Sequence, residues 1–374
     1  MPNNHAEVRI HGAGLAGCSV AHALASRGTR VELVDPNGLA GGASGQRQAV
    51  FQPRPGGPTE RDARLVRLGF HFTRALLARL DPDDSFWREC GVLHLATDRD
   101  AAERFARRVA VTEDPSDFVA LDREGVRALL GPTSRNDGLE GGLWIPTAGT
   151  LEPRSLCRAL IESIRSRIEL RSTPSDREVE VQVLANGADA SVQPGTERLA
   201  IRPTRGQATN VRATDLTALP FVLCNSGYAT PADRDGLVTL AATYGHGDSS
   251  GEVRAEDDDK NLVRTRVNLH PLALSPEAQV VLGEAGVRAT TADRMPLVGE
   301  LPSDLRPTGL GAGRWFASLG HGSRGTATAP ITGEWLASWI LGEARDGLQE
   351  WVAPLRPARR ARPPTSDDRS SDPT

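Results

Sequence analysis

Lysine is almost missing from this 374-residue chain: Lys260 is the only one, and the rest of the positive charge is arginine. An arginine at a given position therefore says little by itself, although a guanidinium grips a carboxylate in a planar fork that an ammonium cannot offer. Tyrosine and methionine are nearly as scarce, at two residues each. The four cysteines, Cys18, Cys90, Cys157 and Cys224, are scattered, with no Cys-x-x-Cys pair and no histidine at ligand spacing. They read as small buried residues rather than a zinc or redox site, and no metal is expected. No run approaches the roughly 18 apolar residues that span a bilayer, and Met1 to Glu7 has neither the basic nor the apolar part of a signal peptide. A cytoplasmic chain without a membrane partner is expected. Strong charge is lacking too. The net charge is −4, and the Pro- and Arg-rich tail 356–374, expected to be disordered, carries +2 of its own, so the body does not announce a nucleic-acid binder.

Against these absences stands one rich stretch, Val8 to Gly17. A short apolar strand runs into Gly12-Ala13-Gly14-Leu15-Ala16-Gly17 and then into a helix over Gly17–Ser26. Gly12 permits the tight turn, Gly14 lets the backbone approach a pyrophosphate, and Gly17 lets helix and strand pack closely, with the helix N-terminus attracting the negative charge. A second strand over Thr29–Val34 ends at Asp35, 18 residues past Gly17, where a ribose-binding carboxylate belongs. The plainer alternative is a glycine turn without ligand. Further along, the spacing predicts helices over Arg61–Leu80, Asp100–Val109 and Leu151–Ile168, and strands over Gly91–Ala96 and Gly142–Ile145. Thr196–Gln207 and Val222–Leu223 look extended, and the polar run Ser249–Lys260 reads as a loop before a helix from Leu262. Near the end, a strand over Trp315–Leu319, a loop Gly320–Gly325 and a helix over Ala329–Leu341 repeat the nucleotide-binding pattern. Val183 to Gly187, with Asn186 and Gly187 at its tip, reads as a strand end closing over the dinucleotide, and Gly322, Ser323, Arg324 and Gly325 would present backbone N–H groups to a flavin ring.

These residues carry a family resemblance. Gly12 to Gly17 together with Gly42-Ala43-Ser44-Gly45-Gln46-Arg47-Gln48 resembles the FAD-dependent D-amino-acid oxidase and glycine oxidase superfamily. More narrowly, that segment, Val183 to Gly187, Arg205-Gly206-Gln207, Val222 to Pro231, Gly286 to Gly299 and Ser323 to Pro330 stand in the order found in the oxidoreductase half of the bifunctional tRNA wobble-uridine family MnmC. The resemblance implies an α/β fold: a Rossmann-like, glutathione-reductase-like FAD-binding domain, discontinuous over 1–90, 146–190 and 286–355, with a β-rich α+β substrate domain inserted at 91–145 and 191–285. It implies FAD, with Ala43, Ser44, Gln46, Arg47 and Gln48 beside the flavin; noncovalent binding is expected because neither Cys nor His stands at a recognisable attachment position. It also implies tRNA as partner and removal of the glycyl group of 5-carboxymethylaminomethyl-(2-thio)uridine, with a methyltransferase on a separate chain as a further partner. Arg288 falls where glycine oxidases hold the substrate carboxylate; Arg324 and Arg47 are further candidates, and Tyr228 is a candidate to close the pocket. For Arg288 the plainer alternative is an ion pair, and for Tyr228 a half-buried aromatic. His11 departs from the small or apolar residue usual in the first strand, and the arginine after His321 sits one place later than in glycine oxidases. Two other functions stay open: oxidation of a free amine such as glycine, sarcosine or a D-amino acid, and a noncatalytic flavin-binding module.

Overall fold

The computed structural model describes residues 8–131, 138–213, 219–269, 274–275, 277–343 and 348–360. The opening strand Val8–His11 pairs in parallel with Val31–Val34 on one side and Val181–Leu184 on the other. Ile168–Arg171 and Arg314–Leu319 extend this layer in parallel, and Leu297–Glu300 closes it antiparallel, giving six strands. Parallel strands buried on both faces read as continuous apolar runs, and Val8–His11 and Val31–Val34 are buried at every position. Glu32 is buried as well, and its register partner Arg9 donates to it through Nε at 2.6 Å. His11 is tolerated for a similar reason: it stacks on Trp315 with centroids 5.3 Å apart, and its Nε2 lies 2.9 Å from Gln182 Oε1. The helices Leu15–Ala25, Arg61–Leu80 and Gly325–Ile340 share one hydrophobic core with these strands.

A nine-stranded, mostly antiparallel sheet forms the second layer. Its long members are Arg202–Arg212 and Gln279–Thr290, paired along their whole length. Val238–Ala241, Tyr228–Ala229, Val222–Cys224, Val92–Ala96, Gly141–Ile145 and Val119–Asp122 continue it in that order, and Gly245–His246 pairs beside Thr204 and Arg205. A three-stranded sheet of Ala49–Phe51, Gly149–Leu151 and Trp87–Glu89 lies between the elements of the two layers in sequence.

Several elements differ from their sequence reading. The helix expected over Leu151–Ile168 is Pro153–Glu162, begun by Pro153 at its first turn; Ile168 opens the outer strand instead, because its Ile-Glu-Leu-Arg pairs with Val31–Val34. The polar run read as a loop turns helical at Ala255, where Glu256, Asp257 and Asp258 occupy the first turn and complement the helix dipole. The C-terminal helix starts at Gly325 rather than Ala329, and Thr196–Gln207 divides into a 3-10 turn, Glu197–Leu199, and the strand from Arg202. The strand Gln279–Thr290 runs unbroken through residue 286, the expected boundary between the two units. Of the tail 356–374, residues 361–374 lie outside the described residues. Its beginning is ordered: Pro357–Arg360 form a 3-10 turn, and Arg359 Nη2 donates to the Met295 carbonyl at 2.7 Å. No helix among the described residues is long and apolar enough to cross a membrane.

Candidate functional site

One cavity of about 840 Å³ opens between the C-terminal ends of the parallel strands and the inner face of the nine-stranded sheet. Ligands of open α/β sheets lie at this end, where helix N-termini converge. The helices Leu15–Ala25 and Gly325–Ile340 both begin at its wall. Gly12 holds φ +111°, and a Cβ there would stand 2.3 Å from the Ala185 carbonyl oxygen; at Gly17 it would stand 1.8 Å from the Gly12 oxygen. The first glycine therefore shapes the turn and the third lets the helix sit on the strand, as their spacing predicts. Asp35 is fixed by backbone: its Oδ2 accepts the Ala13 N–H at 2.8 Å and its Oδ1 the Asn37 N–H at 2.9 Å. Ser44 Oγ accepts the Leu15 N–H at 3.0 Å.

The sequence-predicted cofactor residues mostly meet here. Gly12, Gly14, Leu15, Ala16 and Asp35 line the cavity, as do Ala43, Ser44 and Gln46. Asn186 and Gly187 join from the third strand, and Gly322, Ser323 and Gly325 from the late loop. Ala13 and Gly17 stand behind the wall, serving Asp35 and the helix packing. Arg47, Gln48 and Arg324 are not among the lining residues. Arg47 turns the other way: its guanidinium pairs with Asp233 at 2.8 Å and with Asp235, and its N–H donates to Glu284 at 3.1 Å. Arg324 Nη1 donates to Asp62 at 3.0 Å, an acid shared with Arg54. Both are ion-paired, so neither guanidinium is free for a substrate carboxylate.

Arg288 differs. It lines the cavity, its Nη1 is buried with no hydrogen-bond partner, and it makes no ion pair among the described residues. Its Cζ lies 4.8 Å from the centre of the Tyr244 ring, a cation–π contact. The guanidinium rests where Gly206 has no side chain, since a Cβ there would meet Nη1 at 2.2 Å. Tyr228 is close by: burial pushes its phenol up, and the Arg288 charge opposes that shift. His321 lines the same cavity with both ring nitrogens engaged, Nδ1 2.9 Å from Thr328 Oγ1 and Nε2 3.2 Å from Ser318 Oγ; burial lowers its pKa to about 4. Asp189 also faces the cavity, its carboxyl raised by burial and by Asp35. The four cysteines are free thiols, and burial pushes Cys224 up to about 12. No group of three or more His, Cys, Asp or Glu side chains among the described residues can hold a metal ion.

Sequence reasoning did not find the Tyr244 stack, the Gly206 hollow, or His94 and Gln52, which line the cavity as a hydrogen-bonded pair. The Gly206 hollow depends on the register of Arg202–Arg212 against Gln279–Thr290, a strand with no mark in the sequence, and the Tyr244 stack depends also on Gly245–His246 pairing beside Thr204 and Arg205.

A dinucleotide suits these walls. Two helix N-termini supply N–H groups for phosphates, the glycines admit close backbone approach, and Asn186 Oδ1 is buried with no partner of its own. Fold and site thus define a dinucleotide-binding α/β protein.

The comparisons narrow this class. The profile of the family described as DAO, FAD dependent oxidoreductase, matches residues 7–339, and the chain belongs to that family; it is an FAD-dependent oxidoreductase. The tRNA 5-methylaminomethyl-2-thiouridine biosynthesis bifunctional protein MnmC of Chromohalobacter salexigens is 32% identical over 397 residues, covering 94% of this chain and 56% of that protein. The protein of the same name from Pseudomonas aeruginosa is 34% identical over 382 residues, covering 89% and 56%. The chain spans about half the length of these curated relatives. Among solved structures, glycine oxidase from Bacillus cereus shares the fold at a TM-score of 0.73 and 22% identity, over 92% of this chain and 98% of that one. L-proline dehydrogenase from P. horikoshii does so at 0.76 and 17%, over 95% and 97%.

Proposed function

We propose that this enzyme oxidises the glycyl carbon–nitrogen bond of 5-carboxymethylaminomethyl-(2-thio)uridine in tRNA, giving an imine that hydrolyses to glyoxylate and 5-aminomethyluridine. The observation that carries the reading is the free Arg288 guanidinium, aimed into the cavity with an unmet Nη1. The guanidinium is half-buried, with Nη1 alone fully buried and unmet, and a glycyl carboxylate would give that donor a charge-assisted partner. The names of the relatives at 32% and 34% identity support the tRNA substrate.

Gly12, Gly14, Leu15 and Ser44 would hold the pyrophosphate of FAD, Asp35 its ribose, and Asn186 with the loop Gly322–Gly325 the remaining polar edges. When bound, the flavin accepts the hydride equivalent of the oxidised carbon–nitrogen bond. The chain itself must fix the carboxylate, exclude water and receive the amine in its neutral form. Arg288 fixes the carboxylate, with Tyr244 holding the guanidinium plane. Tyr228, kept as a phenol by burial, is a hydrogen-bond donor beside it. The Arg288 charge also disfavours an ammonium nearby, which promotes the neutral amine. His321 does not serve as base, because both ring nitrogens are engaged by hydroxyls.

Anaerobic mixing of flavin-loaded protein with tRNA bearing the carboxymethylaminomethyl group tests this, beside unmodified tRNA, glycine and sarcosine. Bleaching of the flavin by the modified tRNA and not by unmodified tRNA is expected. Bleaching by the free amines alone would make it a small-amine oxidase, and no bleaching by any of them would make it a noncatalytic flavin protein.

A further inference from the structure

We infer that His94 and Gln52 form a second, hydrogen-bonding subsite of the same cavity, which takes a flat neutral ring bearing a carbonyl, as in a uracil, joined to the amine whose carboxylate Arg288 holds. The inference deepens the proposed function and rests on it.

Register places the subsite. Tyr228 stands opposite Cys224, and Cys224 opposite His94, so the three share the sheet face that lines the cavity. Two strand spacings, about 10 Å, separate Tyr228 from His94. Glycine and sarcosine carry at most a methyl group beyond the nitrogen and stop short of that distance, whereas an amine bearing a ring extends along it. The wall there is apolar: Val50, Cys224 and Tyr228 belong to one hydrophobic cluster, and the Phe105 ring lies edge-on to His94 with centroids 6.2 Å apart.

In this wall the polar pair is conspicuous for what it leaves unmet. His94 Nε2 lies 2.8 Å from Gln52 Oε1. The carboxamide oxygen is thereby engaged, and its N–H donors have no partner among the described residues. Burial lowers the His94 pKa to about 4, so the imidazole is neutral near pH 7. Donors without net charge suit a ring carbonyl. They suit neither a second carboxylate, which calls for a cation, nor an ammonium, which calls for an acid.

The test uses flavin-loaded protein and two probes, acetate for Arg288 and 5-methyluridine for the pair, each titrated through the visible absorbance of the bound flavin. Variants His94→Leu and Gln52→Leu are compared, with retained flavin and the urea midpoint as folding checks; Gln52→Leu guards against a misfolded His94→Leu. The expected result is binding of both probes by the parent protein and at least a tenfold loss of 5-methyluridine affinity in the variants, with acetate affinity within twofold. Parent protein that ignores 5-methyluridine, or variants that bind it unchanged, would overturn the inference. So would variants that release flavin, since the pair would then belong to the cofactor. The proposed reaction fails separately: if only sarcosine bleaches the flavin while 5-methyluridine still depends on the pair, the tRNA substrate falls and the subsite stands.

Discussion

Arg205 and Arg288 sit on neighbouring strands, one residue out of register, and so point to opposite faces of the same sheet. On one face Arg205, 2% exposed, has both terminal nitrogens taken by the fold: Nη1 pairs with Asp257, and Nη2 donates to Gln207 Oε1 at 2.7 Å and to the Glu252 carbonyl. Around it Gln207 and Thr209 donate to Asp258, and Asn261 donates to the Gln207 carbonyl, so the helix Ala255–Asn268 is fastened by polar contacts. On the other face Arg288 has an aromatic plane beneath it and no anion. One arginine holds the fold together; the other is kept ready by the fold for something outside it. The two look alike in sequence, and only their partners separate them.

The comparison breaks most sharply under Arg288→Met. Loss of the carboxylate contact is expected to lower kcat/KM for a carboxylate-bearing amine by roughly a hundredfold to a thousandfold, about 3–4 kcal/mol, with an unchanged urea midpoint. Equal loss for amines without a carboxylate would place Arg288 elsewhere in the chemistry. Arg205→Met should behave in the opposite sense, costing about 3 kcal/mol of stability by chemical denaturation, because Asp257 loses its buried partner. A variant as stable as the parent would mean that Lys260, 2.8 Å from Asp257 Oδ1, suffices for that acid.

Acid should act through groups that burial keeps uncharged. His94 and His321 both have pKa values near 4 in the folded chain against about 6.5 unfolded. The unfolded chain then binds more protons between these values. The stabilisation, fully present above pH 6.5, is lost as pH falls toward 4, by at most about 1.4 kcal/mol per pH unit for each histidine. Urea midpoints at pH 7 and pH 5 measure it, and equal midpoints would show that neither imidazole resists protonation. Gly206→Ala sharpens the comparison within the cavity: its Cβ displaces the guanidinium end, so KM for the amine should rise about tenfold, roughly 1.4 kcal/mol, with kcat less affected. Arg324→Gln should be smallest, about 1 kcal/mol or less of stability, because its pair with Asp62 is partly exposed and Arg54 remains.

The dinucleotide end was legible because its chemistry is local. Gly12, Gly14 and Gly17 act within a single turn, and Asp35 ends the adjacent strand. The long helix Arg61–Leu80 was equally plain, since its apolar residues recur at helical spacing. Arg47 and Arg324 show the opposite case. Both belong to flavin-side segments, but their acids, Asp233, Asp235 and Asp62, lie far away in the chain. The helix from Ala255 was obscured because buried acids make its first turn look like a solvated loop.

The sequence by itself determined the opening strand, turn and helix that receive a dinucleotide, because these depend on residues a few positions apart, and the flavin family, because its blocks stand in a fixed order along the chain. Only the tertiary structure decided which arginine remains free. A guanidinium is available to a ligand only if no carboxylate reaches it first, and that depends on which strands pair, in what register, and which side chains their faces turn toward one another.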